Sequence, residues 1–140
     1  MSSRWRIVRE GFSMAVAEAK TLLRVALRDL QTAQLLETAM APESSWGFHI
    51  QQAIEKALKA WILALNHQSP YIHDLSDLLR ILSDLGQEVE PYDEMTVFTV
   101  FAVQLRYDDE PNPLNLDRKA WHQRTEALVA HVAQILGSTP

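Results

Sequence analysis

With 140 residues, 47% hydrophobic and 22% charged side chains, the chain has the make-up of one folded globular domain. The absence of cysteine excludes disulfides, thiolate metal sites and cysteine nucleophiles. A formal net charge of -5 argues against a broad electrostatic grip on nucleic acid, which requires many neutralised phosphates. Any such role is left to local basic clusters: Arg4, Arg6 and Arg9, then Arg24 and Arg28, then Lys56 and Lys59. The opening Met1-Ser2-Ser3-Arg4-Trp5-Arg6 is basic, but no uninterrupted apolar run follows to serve as a signal-peptide core or a membrane span, so a cytoplasmic location is expected.

In chain order, residues 1–12 read as an arm and 13–140 as a single helical domain. In the arm, Arg4-Trp5-Arg6-Ile7-Val8-Arg9 interleaves basic and apolar residues, a composition that suits RNA or an acidic partner surface, though a terminus packed on its own bundle or disordered is the reading it favours. The first long helix is predicted from about Ser13 to Met40, with Leu22, Leu23, Ala26, Leu30, Ala33 and Leu36 as its buried stripe. It stops at Met40-Ala41-Pro42 because proline cannot continue it. Glu43-Ser44-Ser45 supplies N-cap candidates for a second helix running to about Asn66. A third, shorter helix starts near His73-Asp74, is capped by that carboxylate, and buries Leu75, Leu78, Leu79, Leu82 and Leu85 before Gly86.

The segment from Met95 to Leu105 is rich in β-branched and aromatic residues, which favour a strand locally. A lone strand in a helical chain would leave buried backbone groups unpaired, so a helix is expected, covered on more than one side by the bundle and by a second subunit. An acidic, proline-punctuated loop follows, Asp108-Asp109-Glu110-Pro111-Asn112-Pro113. Its adjacent carboxylates read as a solvated surface, not a metal site. A last helix is capped by Asp117 and buries Ala120, Trp121, Leu128, Val132, Ile135 and Leu136. The expected fold is all-α, an antiparallel up-and-down four-helix bundle with an additional short helix.

The second helix is the informative one. At about 100° per residue, Ile50, Ala53, Ile54, Ala57, Trp61 and Leu65 form a buried seam, while His49, Gln52, Lys56 and Lys59 line the opposite side as a polar ladder. Ile62 and Leu63 continue that outward side as apolar residues, so the ladder is expected to be covered and to lie at an interface. Two lysines can hold a phosphate and Gln52 can read a base edge, which makes the ladder a candidate ligand or partner site. The competing reading is a solvated helix face with a weak pair between Glu55 and Lys59.

The run Phe48-His49-Ile50-Gln51-Gln52-Ala53-Ile54-Glu55-Lys56-Ala57-Leu58-Lys59-Ala60, followed by His73-Asp74-Leu75 and Leu105-Arg106-Tyr107, resembles the HEPN domain family. Leu23, Ala26, Asp29, Leu30 and Ala33 fit the family's first helix, so the resemblance spans roughly Leu22 to Tyr107. It implies a helical bundle that commonly dimerises, is often encoded beside a minimal nucleotidyltransferase, and binds nucleotide or RNA. It implies no cofactor.

Many members of that family are metal-independent ribonucleases, frequently toxins of toxin-antitoxin pairs, that use an Arg and a His separated by four to six residues. This chain departs from that pattern: no His lies among the residues from Tyr107 to Pro113 that follow Arg106, and Arg118 and His122 have only three residues between them. Metal-free RNA cleavage needs a base for the 2′-OH, an acid for the leaving oxygen and a cation for the developing charge. Arg106 supplies only the cation, leaving His49 and His73 as substitute acid and base. The alternative for His73 is to cap or orient the third helix, and for His49 a polar surface or interface role. Tyr107 is a site for a partner nucleotidyltransferase to modify, or a half-buried ring closing the bundle. The expected function is therefore a homodimeric binding subunit for nucleotide, RNA or a minimal nucleotidyltransferase, through His49, Gln52, Lys56, Lys59, Arg106 and Tyr107. A ribonuclease toxin with a rearranged site is the alternative.

Overall fold

The structure, a computed structural model, describes residues 3–104 and 113–137, with side chains for 14–102 and 113–137. All regular structure in these residues is helical: α1 (Ser3–Thr38), α2 (Glu43–Ala64), α3 (Leu75–Asp84), a 3-10 helix (Glu90–Val100), α4 (Phe101–Gln104) and α5 (Arg118–Gly137). Arg106, Tyr107 and the carboxylates of Asp108-Asp109-Glu110 lie outside the described residues, as do the side chains of the arm.

The fold is organised around α2, of which no residue is exposed. It packs on α1 along much of its length and also meets α3, the 3-10 helix, α4 and α5. Its seam residues Ile50, Ala53, Ile54, Ala57 and Trp61 are buried as the spacing predicts. Leu58, Ile62 and Leu63 on the other sides are buried too. The expected covering of the ladder side is thus real, but α1 of the same chain contributes to it.

α1 begins at Ser3, ten residues before the predicted start at Ser13. Ala19, Ala26, Leu30 and Ala33 form its buried stripe, with Leu22, Leu23 and Leu36 half-buried against it. Its end is made before Pro42 is reached. Met40 takes a left-handed φ of 55°, the Ala41 N–H donates to the Leu36 carbonyl at 3.0 Å, and the Met40 N–H donates to that of Glu37 at 3.1 Å. The same paired bonds end α2 through Asn66, at φ 62°, and α3 through Gly86, at φ 82°.

Both predicted carboxylate caps are present: the Ser76 N–H donates to Asp74 at 2.9 Å and the Ala120 N–H to Asp117 at 3.0 Å. The cap predicted for α2 is not. Pro42 occupies that N-cap position without a side-chain bond, and the Glu43 carboxylate instead accepts the N–H groups of Leu114 at 2.7 Å and Leu116 at 3.0 Å. A carboxylate with two well-placed donors elsewhere is withdrawn from the end of its own helix, and here it fastens the approach to α5 onto the start of α2.

The segment around Met95 is helical as expected, but its regular form is a 3-10 helix that becomes α-helical only at Phe101. Its apolar spacing explains the tighter coil. Tyr92, Met95, Phe98 and Phe101 recur every third residue and all turn inward, the period of a 3-10 helix and not of an α-helix. Phe98 is the hub of the aromatic core, with its ring centroid 5.6 Å from that of Trp46, 4.9 Å from Trp121 and 5.6 Å from Phe101. Val100 of the same segment stays exposed.

Gly47 makes this packing possible. A Cβ at this position would lie 2.6 Å from Cδ1 of Phe101, so only glycine lets the ring seat against α2. Gly47→Ala gains about 1 kcal/mol of helix propensity, but it forces a large buried ring to move at a cost of about 1–3 kcal/mol, so urea denaturation should show a net loss of stability. Burial against Trp61 and His131 raises the pKa of Tyr92 above the ordinary phenol value. The native state thus keeps a proton that the unfolded chain loses, and stability should fall as pH rises from about 10 through the folded value. In an absorbance titration, the phenolate signal removed by Tyr92→Phe should appear above the ordinary tyrosine range.

Candidate functional site

Because no residue of α2 is fully exposed, its buried polar groups have to be met inside the fold, and two carboxylates do most of this. The first, Asp29, comes from α1. Its Oδ2 accepts Lys56 Nζ at 2.7 Å and its Oδ1 lies 3.2 Å from His49 Nδ1. His49 and Lys56 are seven residues apart, two turns on one face, so a single acid from the facing helix reaches both.

The second carboxylate is Glu55 on α2 itself, only 5% exposed. Fully buried Gln51 donates its Nε2 to Oε1 at 3.0 Å, His73 Nδ1 lies 3.1 Å from the same oxygen, and Lys59 Nζ donates to Oε2 at 3.2 Å. Gln52 Nε2 donates in turn to Gln51 Oε1 at 2.7 Å. The chain Gln52 to Gln51 to Glu55 thus ends on a carboxylate shared by a lysine and a histidine. His73 stands just before α3, so Glu55 also ties the α2–α3 connection to α2. Of the two roles expected of His73, capping falls to Asp74, while His73, 73% exposed, reaches Glu55 and so orients the start of α3 against α2.

The ladder residues His49, Gln52, Lys56 and Lys59 therefore share one side of α2, and each is engaged within the chain. Lys56 and Lys59 are neutralised by Asp29 and Glu55, and each keeps further N–H donors on a side chain only partly open to solvent. The pairing of Glu55 with Lys59 is real, yet it is buried and not the solvated surface pair that helix spacing alone allows.

His49 and His73 are brought to separate carboxylates, Asp29 and Glu55. Arg118 and His122 lie on the first turns of α5. Arg118 Cζ sits 5.4 Å from the centre of the Trp46 ring, and His122 Nε2 is 3.6 Å from Glu126. Among the described residues no cluster of three or more His, Asp or Glu side chains is arranged to hold a metal ion, and no helix is long and apolar enough to cross a membrane.

Sequence reasoning missed three members of this constellation: Asp29 as the acid that takes Lys56, Gln51 as a buried donor, and Glu55 as a buried hub. A usable signal was present for two of them. Gln51 lies two turns before Leu58 and Glu55 two turns before Ile62, so both share faces with apolar residues. Asp29 offered no comparable signal, because its partners are 20 and 27 positions away.

Removing the hub strands its donors. Glu55→Ala leaves buried Gln51 without an acceptor and half-buried Lys59 without its counter-charge, and should cost about 3 kcal/mol in chemical denaturation. His73→Ala, which removes only an exposed partner, should cost less than about 1 kcal/mol. Equal effects would show that the hub does not depend on burial.

No curated protein and no solved structure matches the chain. The family model described as HEPN domain matches residues 19–137, from the buried stripe of α1 to the end of α5. The chain belongs to the HEPN domain family.

Proposed function

We propose that the protein is a cytoplasmic, homodimeric binding subunit for nucleotide, RNA or a minimal nucleotidyltransferase, built as an antiparallel helical bundle and without the family's ribonuclease chemistry. Family membership supports a nucleotide- or RNA-related role. The observation that carries the choice of binding over cleavage is the tethering of both candidate histidines. His49 is held by Asp29 and His73 by Glu55, so each candidate histidine has a structural partner within the fold. Dimerisation draws support from the outer side of α1, where Met14, Leu27 and Leu35 are exposed. It also draws support from an open apolar groove of about 350 Å³ between α1 and α5, lined by Leu23, Leu27, Val129 and Ala133 and edged by Lys20 and Arg24.

Incubating the purified protein with total RNA in EDTA tests this reading. The expected result is retention of RNA or nucleotide without cleavage, by a species that sediments as a dimer. Robust cleavage that Arg106→Ala abolishes would establish the ribonuclease instead, and a monomer at micromolar concentration would remove the dimer.

A further inference from the structure

Where α1 packs beside α5 the surface between them is an open, almost wholly apolar groove of about 350 Å³, with Leu23 and Leu27 of α1 and Val129 and Ala133 of α5 among its lining residues. Leu27 is 43% exposed there. One turn beyond Ala133, a Cβ placed on Gly137 would meet nothing within 4 Å, so small residues of α5 leave this side of the groove unfilled.

The α1 edge of the groove is positive. Lys20 and Arg24 border it, and Arg28 continues the same row at four-residue spacing, with all three exposed. Among the described residues no carboxylate pairs with any of the three, and Arg24 Nη2 donates to Thr21 Oγ1 at 3.0 Å. At about 100° per residue, Glu18, Asp29 and Glu37 fall on other sides of α1, and Asp29 already holds Lys56 and His49. Glu126 on α5 lies 3.6 Å from His122. An acidic chain thus keeps one row of cations clear of acids, directly beside exposed aliphatic surface.

That pairing calls for an occupant that is apolar on one side and anionic next to it. We propose that the groove docks an amphipathic helix of a partner protein, with its apolar stripe seated between α1 and α5 and a row of carboxylates facing Lys20, Arg24 and Arg28. The spacing matches. Cations four residues apart are separated by about 6 Å along α1, and acids at every fourth position of a helix advance by the same rise. An open channel between two packed helices is also the shape that a third helix fills, ridges into grooves.

Other occupants fit less well. A second copy suits the shape but not the charge, because an isologous contact centred on the groove sets Lys20 and Arg24 against the same cations of the other copy. Dimerisation through the exposed Met14 and Leu35 leaves the groove open. Single-stranded RNA suits the charge but not the floor, which offers aliphatic carbons where unstacked bases need aromatic rings. The docking site goes beyond the function proposed above in assigning a partner protein its surface and its chemistry.

The probe is a synthetic amphipathic helix about 18 residues long, with leucines on one stripe and glutamates at every fourth position beside it; a twin carries lysine in place of each glutamate. Fluorescence anisotropy follows the binding of each to the full chain, and thermal melts check that every variant folds. Wild type should bind the glutamate peptide about tenfold or more tightly than its twin, and the double variant Lys20→Glu/Arg24→Glu should reverse that preference. Ala133→Glu, at an exposed position in the groove, should weaken the glutamate peptide, whereas Arg80→Glu, on the exposed side of α3, should leave it unchanged.

No binding of the glutamate peptide at about 1 mM, or equal binding of both peptides by wild type, would overturn the docking site. Loss of the sedimenting dimer in Ala133→Glu would give the groove to a second copy and overturn it as well, while the homodimer stands. If a short single-stranded RNA displaces the peptide in a manner that depends on Lys20 and Arg24, the row is an RNA site, so the RNA reading stands and the helix is overturned. If the peptides behave as expected and neither RNA nor nucleotide is retained, the groove stands and the nucleotide or RNA reading fails.

Discussion

A helix buried along most of its surface has to find partners for its buried polar groups inside the protein, and α2 is such a helix. Its apolar residues need only bulk around them, but Gln51, Glu55 and Lys59 need particular atoms at particular distances. Asp29 and Glu55 provide them. Through Asp29 the register of α1 against α2 is tied to ion pairs as well as to the packing of small residues. Through Glu55 the connection entering α3 is drawn back to α2 by His73. The polar residues of α2 therefore specify how its neighbours are placed, while the apolar ones supply most of the driving force.

The elements that could be read from the sequence are those with local causes. The stripe of α1, the seam of α2, the caps at Asp74 and Asp117 and the stop at Gly86 each depend on residues within a few positions of one another, and each is present. The 3-10 coil around Phe98 was hidden because its β-branched residues draw attention to strand propensity and away from the three-residue spacing of Tyr92, Met95, Phe98 and Phe101. The N-terminus of α2 was misread for the opposite reason: a plausible local cap was overridden by a distant pair of N–H groups. The ladder was correctly seen as a line of polar residues on a covered side. Asp29, which takes two of its members, belongs to another helix, and no helical period reports on a partner in another helix.

Charge divides the protein into two kinds of polar site. Along α2, cations meet anions at close range under α1, and little net field is left over. At the start of α5, among the described residues, no carboxylate pairs with Arg118 or Lys119, and the neighbouring Glu43 and Asp117 are taken up by backbone N–H groups. Local basic character in an acidic chain thus arises less from the number of lysines and arginines than from which of them lack a counter-charge. The lysines most conspicuous in the sequence are the ones most fully compensated.

The bonds from Glu43 to Leu114 and Leu116 join positions more than 70 residues apart in the chain. Contacts of that separation form only after a long loop has closed, whereas the helices and the α1–α2 pair are built from nearer neighbours. This carboxylate accordingly acts as a late fastening. A contact that forms after the folding transition state changes, when weakened, the rate at which the folded protein opens more than the rate at which it forms.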